Sequence, residues 1–371
     1  MSHTRDKGVP RLRAVSLVTL VASLALWAGS CGDTSAPDRR PEVITALARD
    51  VAVGSYTELE VRSGTLLSEV EALCADPSDD TLQAARTAWW DARTPWKEAE
   101  VVKFGPVVEF PERFGPKLDS WPASLTAITE LLTSDEGLTL ADFALKGAYK
   151  RGLPVVEYLL YAQGDDTLTW LAADARRCEV LVGVTADVQA NAGALRDAWL
   201  QLWQARLSDP TTDSADMWDT VQDVLDEWVN RMAFTVENIR SMKLGVPVGD
   251  TSGGVPMPEN LESRYSGRSL RDARDALAGV ARAWHGGDET QPGIAALLER
   301  KPALVERVSQ LFVAADAALA SVPEPLEPSL TDDRASIAAA QEALRLLQVA
   351  LQTDVAQALG VTVTFNDNDG D

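Results

Sequence analysis

Glu157 is the residue whose position most demands a chemical account. It lies in "RGLPVVEYLLY", Arg151 to Tyr161, between Val155, Val156 and Tyr158, Leu159, Leu160. An ionised carboxylate in such an apolar run must be paired, protonated or bound to a cation. Other reactive side chains are sparse. The histidines are His3 and His285, and His285 precedes Gly286 and Gly287 where a helix should end. A protonated imidazole there would favour the helix dipole, so a capping role is expected of it. No HExxH stretch is present for a zinc hydrolase, and no GxSxG for a serine nucleophile. The residues themselves therefore argue against peptidase chemistry. "NDNDGD", Asn366 to Asp371, opens like a calcium loop but has no downstream Glu and no second helix.

The three cysteines divide into one and two. Arg5, Lys7, Arg11 and Arg13 precede an apolar run from Ala14 to Leu26, which is followed by "AGSC", Ala28 to Cys31. That run is too short to span a bilayer comfortably. Residues 1–30 are expected to be a lipoprotein signal peptide, with Cys31 lipidated and 31–41 a flexible tether. Gly32 after the cysteine points to the outer membrane rather than the inner. Cys74 and Cys178 are then left as a natural disulfide pair in an exported chain.

Charge excludes one class of partner. The chain carries 34 Lys+Arg against 56 Asp+Glu, a formal net charge of −22. Removing residues 1–30 takes away four basic residues and one acid, which leaves the mature chain more acidic still. Such a surface repels nucleic acid and anionic headgroups.

The elements that must position these groups are helical. Trp218, Val221, Leu225, Trp228, Met232, Val236 and Ile239 recur at three or four residues. So do Leu304, Val308, Leu311, Ala315 and Leu319, and again Ile337, Ala340, Leu344, Leu347, Leu351, Val355 and Leu359. Helices are expected near 42–75, 80–101, 122–133, 152–162, 170–206, 214–243, 268–286, 301–321 and 332–359. Thr331 is the expected N-cap of the last, and "VTVTF" near the C-terminus is the sole strand candidate. The Gly- and Pro-rich stretch Leu244 to Asn260 is the main break. The expected fold is all-α, with two packed helical bundles over 42–210 and 211–371.

Five stretches carry a resemblance. "ARTPWKEAEVVKFGP" (Ala92–Pro106), "LDSWP" (Leu118–Pro122), "RGLPVVEYLLY", "ESRYSGRSL" (Glu262–Leu270) and "LGVTVTFNDNDGD" (Leu359–Asp371) come in the order seen in the imelysin-like family. The mature chain resembles that family of bacterial envelope proteins along its whole length. The resemblance implies two helical bundles with a site in the cleft between them. It also implies roles within a range from insulin-cleaving membrane protease to iron uptake. The family motif GxHxxE falls on Gly152, Pro154 and Glu157, so proline replaces the histidine. Pro154 has no ligating atom and suits the first turn of a helix. By resemblance, Glu157 shares the cleft with Glu100, Asp119, Arg151, Ser263, Tyr265 and Ser266.

Two readings of Glu157 follow. In one, Arg93 or Arg151 pairs with it and joins the two halves. In the other, Glu157, Glu100 and Asp119 offer oxygens to iron as Fe³⁺ or to another hard cation. With the histidine missing, the ion pair is favoured. Ser266 or Ser269 either caps the following helix or hydrogen-bonds across the cleft. The expected function is non-enzymatic binding by a lipid-anchored, periplasm-facing envelope protein, in iron or other metal acquisition. The alternatives are a metallopeptidase and a structural partner of envelope iron-transport or redox proteins.

Overall fold

The computed structural model describes residues 37–210, 217–287 and 290–364. Cys31, the expected signal segment and "NDNDGD" lie outside the described residues. The described residues from Arg39 onward form one compact unit. It is all-α, and no strand occurs among the described residues.

The main helices are α1 (Gly54–Ala75), α2 (Asp79–Glu98), α3 (Leu125–Thr133), α4 (Leu153–Tyr161), α5 (Ala175–Ala198), α6 (Val221–Asn238), α7 (Ser269–His285), α8 (Pro302–Ala320), α9 (Leu326–Asp332) and α10 (Arg334–Val349). Helical backbone continues from residue 40 into α1, and several helices carry one wider turn at an end. Helix α1 packs on α2 and α5, and α4 packs on α2 and α5. Beyond them, α10 packs on α6 and α8, and α7 also touches both. Helices α2 and α7 lie against each other and join the two groups. That contact is close because Gly279 has no side chain; a methyl there would collide with the Glu98 carbonyl.

The apolar residues of these helices form a continuous core, in which Trp89, Trp199, Trp228 and Trp284 are fully buried. Phe104 stands edge-on to Trp199, Trp218 and Trp228, with centroids 5.3–6.0 Å away. Such edge-to-face packing gains from the ring quadrupoles as well as from lost apolar surface. Cys74 at the end of α1 is bonded to Cys178 on α5, with Cα atoms 5.6 Å apart. Closing a loop 104 residues long stabilises by up to ~4–5 kcal/mol on the chain-entropy model.

Local chemistry explains where the boundaries differ from expectation. The expected helix 170–206 is interrupted: Asp174 accepts from the Arg176 N–H and starts α5 afresh. Thr331 does not cap the last helix. It lies within α9, and Asp333 caps α10 by accepting from the Ser336 N–H at 3.3 Å. Residues 361–364 of the "VTVTF" stretch form no strand. The backbone N–H groups of Thr362 and Thr364 donate to Asp226 and Asn230 of α6, each at 3.1 Å. Asn230 Nδ2 in turn donates to the Thr362 carbonyl. Side chains of a helix thus satisfy the extended backbone that an adjacent strand would otherwise pair.

Candidate functional site

Helices α2 and α7, the helical turn that extends α6 and two loops bring a cluster of charges into the interior. Arg93, Lys97, Lys243 and Arg268 are buried there with Asp119, Glu262, Asp272 and Asp275. Glu100, 13% exposed at its side chain, completes the group. Amphipathic spacing places them: Arg93 and Lys97 lie one turn apart on α2, as do Asp272 and Asp275 on α7.

The ion pairs form a continuous network. Arg93 reaches Asp119 at 3.0 Å, Asp272 at 2.7 Å and Glu262 at 3.2 Å. The Lys97 ammonium donates to Glu100 and Asp119, each at 2.8 Å, and to Glu262. Lys243 donates to Glu100 at 2.9 Å and to Glu262. Arg268 pairs with Asp272 and with Asp275, and also donates to Thr94. Burial alone would depress the Lys97 pKa, and Arg93 adds to that effect. The carboxylates of Asp119, Glu100 and Glu262 outweigh both and raise it. Burial would likewise raise the acids, yet the surrounding cations hold Glu262 well below its ordinary range and Asp119 at about 2. The same cations and acids therefore hold Lys97, Asp119 and Glu262 in their charged forms.

Glu157 lies in a different environment. It is 4% exposed, and its Oε1 accepts from the Ser266 N–H at 2.9 Å and the Ser266 hydroxyl at 2.8 Å. No cation pairs with it among the described residues. Burial pushes its pKa up to about 7, while the two Ser266 bonds and the more distant Arg93 pull the other way. The expected ion pair is therefore corrected on both counts: Arg93 is engaged elsewhere, and Arg151 pairs with Asp187, its Nε donating at 2.8 Å. Gly152 is needed to shape this turn, with φ +87°, and an added Cβ would press on the Leu118 carbonyl. Pro154 occupies the first turn of α4 as expected.

The expected site residues thus divide. Glu100 and Asp119 come together around Lys97, while Glu157 joins Ser266 instead. Ser263, at φ +49°, donates its hydroxyl to Asp272. Tyr265 packs edge-on against Tyr158 at 5.3 Å. Neither Ser266 nor Ser269 caps α7; Ser269 donates to the Glu262 carbonyl, and Arg268 precedes the helix without a side-chain cap. Hydrogen bonding between chain segments is the role Ser266 takes. His285 ends α7 as expected, and partial desolvation lowers its pKa. No group of three or more His, Cys, Asp or Glu side chains able to hold a metal ion occurs among the described residues.

Sequence reading missed Lys97, Lys243, Glu262, Arg268, Asp272 and Asp275. Lys97, Glu262 and Arg268 stand inside the quoted family stretches, and "SLRDARDALAG" repeats a cation–acid spacing that also suits a solvated helix face.

A cavity of about 420 Å³ opens beside the network. Its wall includes Lys97, Glu100, Asp119, Lys243 and Glu262, with the aromatic surfaces of Tyr56, Trp96 and Trp121. Trp96 donates its indole N–H to Asp119 at 2.7 Å, and Trp121 donates to the Leu261 carbonyl at 3.1 Å. Lys103 and Arg113 complete the wall and are exposed. Arg113 is held at φ +40° with its guanidinium over Phe110. This is a strained conformation for a residue with a side chain, and such strain is often found at ligand sites. Volume and lining both suit a small molecule.

Comparison with known proteins places this architecture. Iron-regulated protein A of Synechococcus elongatus is 26% identical over 362 residues, covering 93% of each chain. A solved structure described as an iron-regulated protein A precursor, from Parabacteroides distasonis, superposes with a TM-score of 0.75 at 21% identity. It covers 87% of this chain and 95% of its own. An imelysin-like protein from Psychrobacter arcticum gives a TM-score of 0.74 at 22% identity, covering 88% and 97%. The family model for imelysin matches residues 52–351. Four of the five stretches fall within that match, the all-α architecture agrees with it, and the chain belongs to the imelysin family.

Proposed function

We propose that this chain is a cell-envelope lipoprotein, anchored through Cys31 and facing the periplasm, that binds a metal-bearing ligand in iron or other metal acquisition. One observation carries the reading: a cavity of small-molecule size whose wall carboxylates are all engaged by buried cations. A carboxylate held ionised by cations on several sides is a poor general base, because those cations lower its proton affinity. The family's histidine position is occupied by Pro154, which removes the side chain that could share a metal with Glu157. Both points support binding over hydrolysis. The link to iron is supported by relatives described as iron-regulated.

Metal analysis of the protein purified from its native envelope tests the role. Iron or another metal should accompany the protein, and insulin and casein should remain intact on incubation with it. Chelator-sensitive cleavage would favour the metallopeptidase and overturn the proposal. Replacing Cys31→Ala should release the protein from membranes, and unchanged retention would contradict the anchor.

A further inference from the structure

We infer that the Cys74–Cys178 disulfide exchanges with an external thiol in the folded protein, and in one direction: Cys74 takes the incoming sulfur and Cys178 leaves. Both cysteines are half-buried. They line an open groove of about 920 Å³ together with Pro77, Leu138, Leu171 and Val182. The bond thus lies at the wall of a groove and not inside the core. Helix α1 also packs on α2 and α5, and its Leu59, Leu66 and Val70 are buried. Cleavage of the bond therefore leaves both helices seated. The exchange does not depend on the binding role proposed above.

The two sulfurs differ in the helix ends that carry them. Cys178 is the fourth residue of α5, and Cys74 is the second from last of α1. A helix presents partial positive charge at its N-terminus and partial negative charge at its C-terminus. A thiolate is thus favoured on Cys178 and disfavoured on Cys74. Neighbouring charges add to the contrast. Glu69, Glu71, Asp76, Asp79 and Asp80 lie within six positions of Cys74, and no Lys or Arg does. The same span around Cys178 holds Asp174 and Glu179, balanced by Arg176 and Arg177. The Cys74 Sγ also lies 3.9 Å from the Cys178 carbonyl oxygen, whose lone pairs repel a negative sulfur.

In the exchange, an external thiolate sulfur bonds to Cys74 Sγ as the Sγ–Sγ bond breaks, and that electron pair leaves on Cys178 Sγ. One disulfide replaces another, so the step needs no oxidant or reductant besides the thiol. The faster leaving sulfur is the one better able to hold the charge, which here is Cys178. The groove carries Asp135, Glu136 and Glu179 against Arg176, a balance that favours a neutral or cationic thiol over an anionic one. The product is a folded chain with a thiol adduct on Cys74, which makes this cysteine a reversible attachment point.

Trapping of the first exchange product tests the inference. The oxidised protein is mixed with cysteamine, a small cationic thiol, and sampled early into N-ethylmaleimide. The samples are digested in acid and the two cysteine peptides weighed by mass spectrometry. Circular dichroism on the same samples reports whether the chain is still folded. Cysteamine should be found on Cys74 with maleimide on Cys178, at least tenfold over the reverse arrangement, in a chain whose helical signal is unchanged. Equal amounts of the two arrangements, or an excess of cysteamine on Cys178, would overturn the direction. An adduct that forms only once urea has unfolded the chain would overturn the exchange site itself.

Discussion

Glu262 and Glu157 are the same kind of side chain, almost equally buried, with opposite electrostatics. Glu262 faces Arg93, Lys97 and Lys243, and its pKa lies well below the ordinary range. Glu157 receives only neutral donors from Ser266, and its pKa rises to about 7. Burial acts alike on both, so the neighbours decide the charge. A hydroxyl and an amide orient a carboxylate, but they do not offset the loss of water as cations do.

The largest break in this comparison is Glu262→Gln. Removing one negative charge leaves three buried cations with fewer partners, and losing one side of such a pair costs ~3–5 kcal/mol. Urea unfolding at pH 7 should show that loss. Because the folded-state pKa is lowered, the contribution of Glu262 is present above its ordinary range and lost as the pH falls through the folded value. The variant and the wild type should therefore converge in acid.

Glu157→Gln should have the opposite sign. The folded protein binds the proton more tightly than the unfolded chain, so Glu157 costs stability as pH rises from 4.5 toward 7. The amide oxygen of Gln can still accept from Ser266 and carries no charge. At pH 8 the variant should be more stable by on the order of 3 kcal/mol, and near pH 4 the gain should vanish. A loss of stability at pH 8 would mean that a cation does pair with Glu157.

Ser266→Ala separates the hydroxyl from the backbone donor. It should cost ~1.5 kcal/mol at pH 8 and raise the pH at which Glu157 titrates, as followed by carboxyl carbon resonance. The smallest effect belongs to Tyr265→Phe. Tyr265 packs against Tyr158, and no hydrogen bond from its hydroxyl occurs among the described residues. Its unfolding free energy should stay within ~0.5 kcal/mol of wild type.

Glu157 was legible in the sequence because a single acid interrupts an apolar run, and burial follows from periodicity alone. Its partner was harder to foresee. Arg93 and Arg151 were reasonable candidates by charge, yet each had a better-placed acid: Asp272 lies 179 positions from Arg93, and Asp187 lies 36 from Arg151. Spacing along one helix exposes a pattern, whereas pairing between segments depends on how helices dock. The helical class was legible for the same reason, since three- and four-residue recurrences are local. Asp174 escaped notice because one capping aspartate within a long apolar pattern resembles any exposed acid.

The contact at Gly279 has a mechanical consequence. It pins α7 to α2 backbone against backbone, within three turns of Asp272 and Asp275 and beside Glu98. A rotation of one helix about a pivot this near the charges displaces them very little. The wall formed by Lys97 and Glu100 is therefore stiff, and a solute entering the cavity finds a cast already set. Any selection there would work by fit and charge, without a hinge that must first swing.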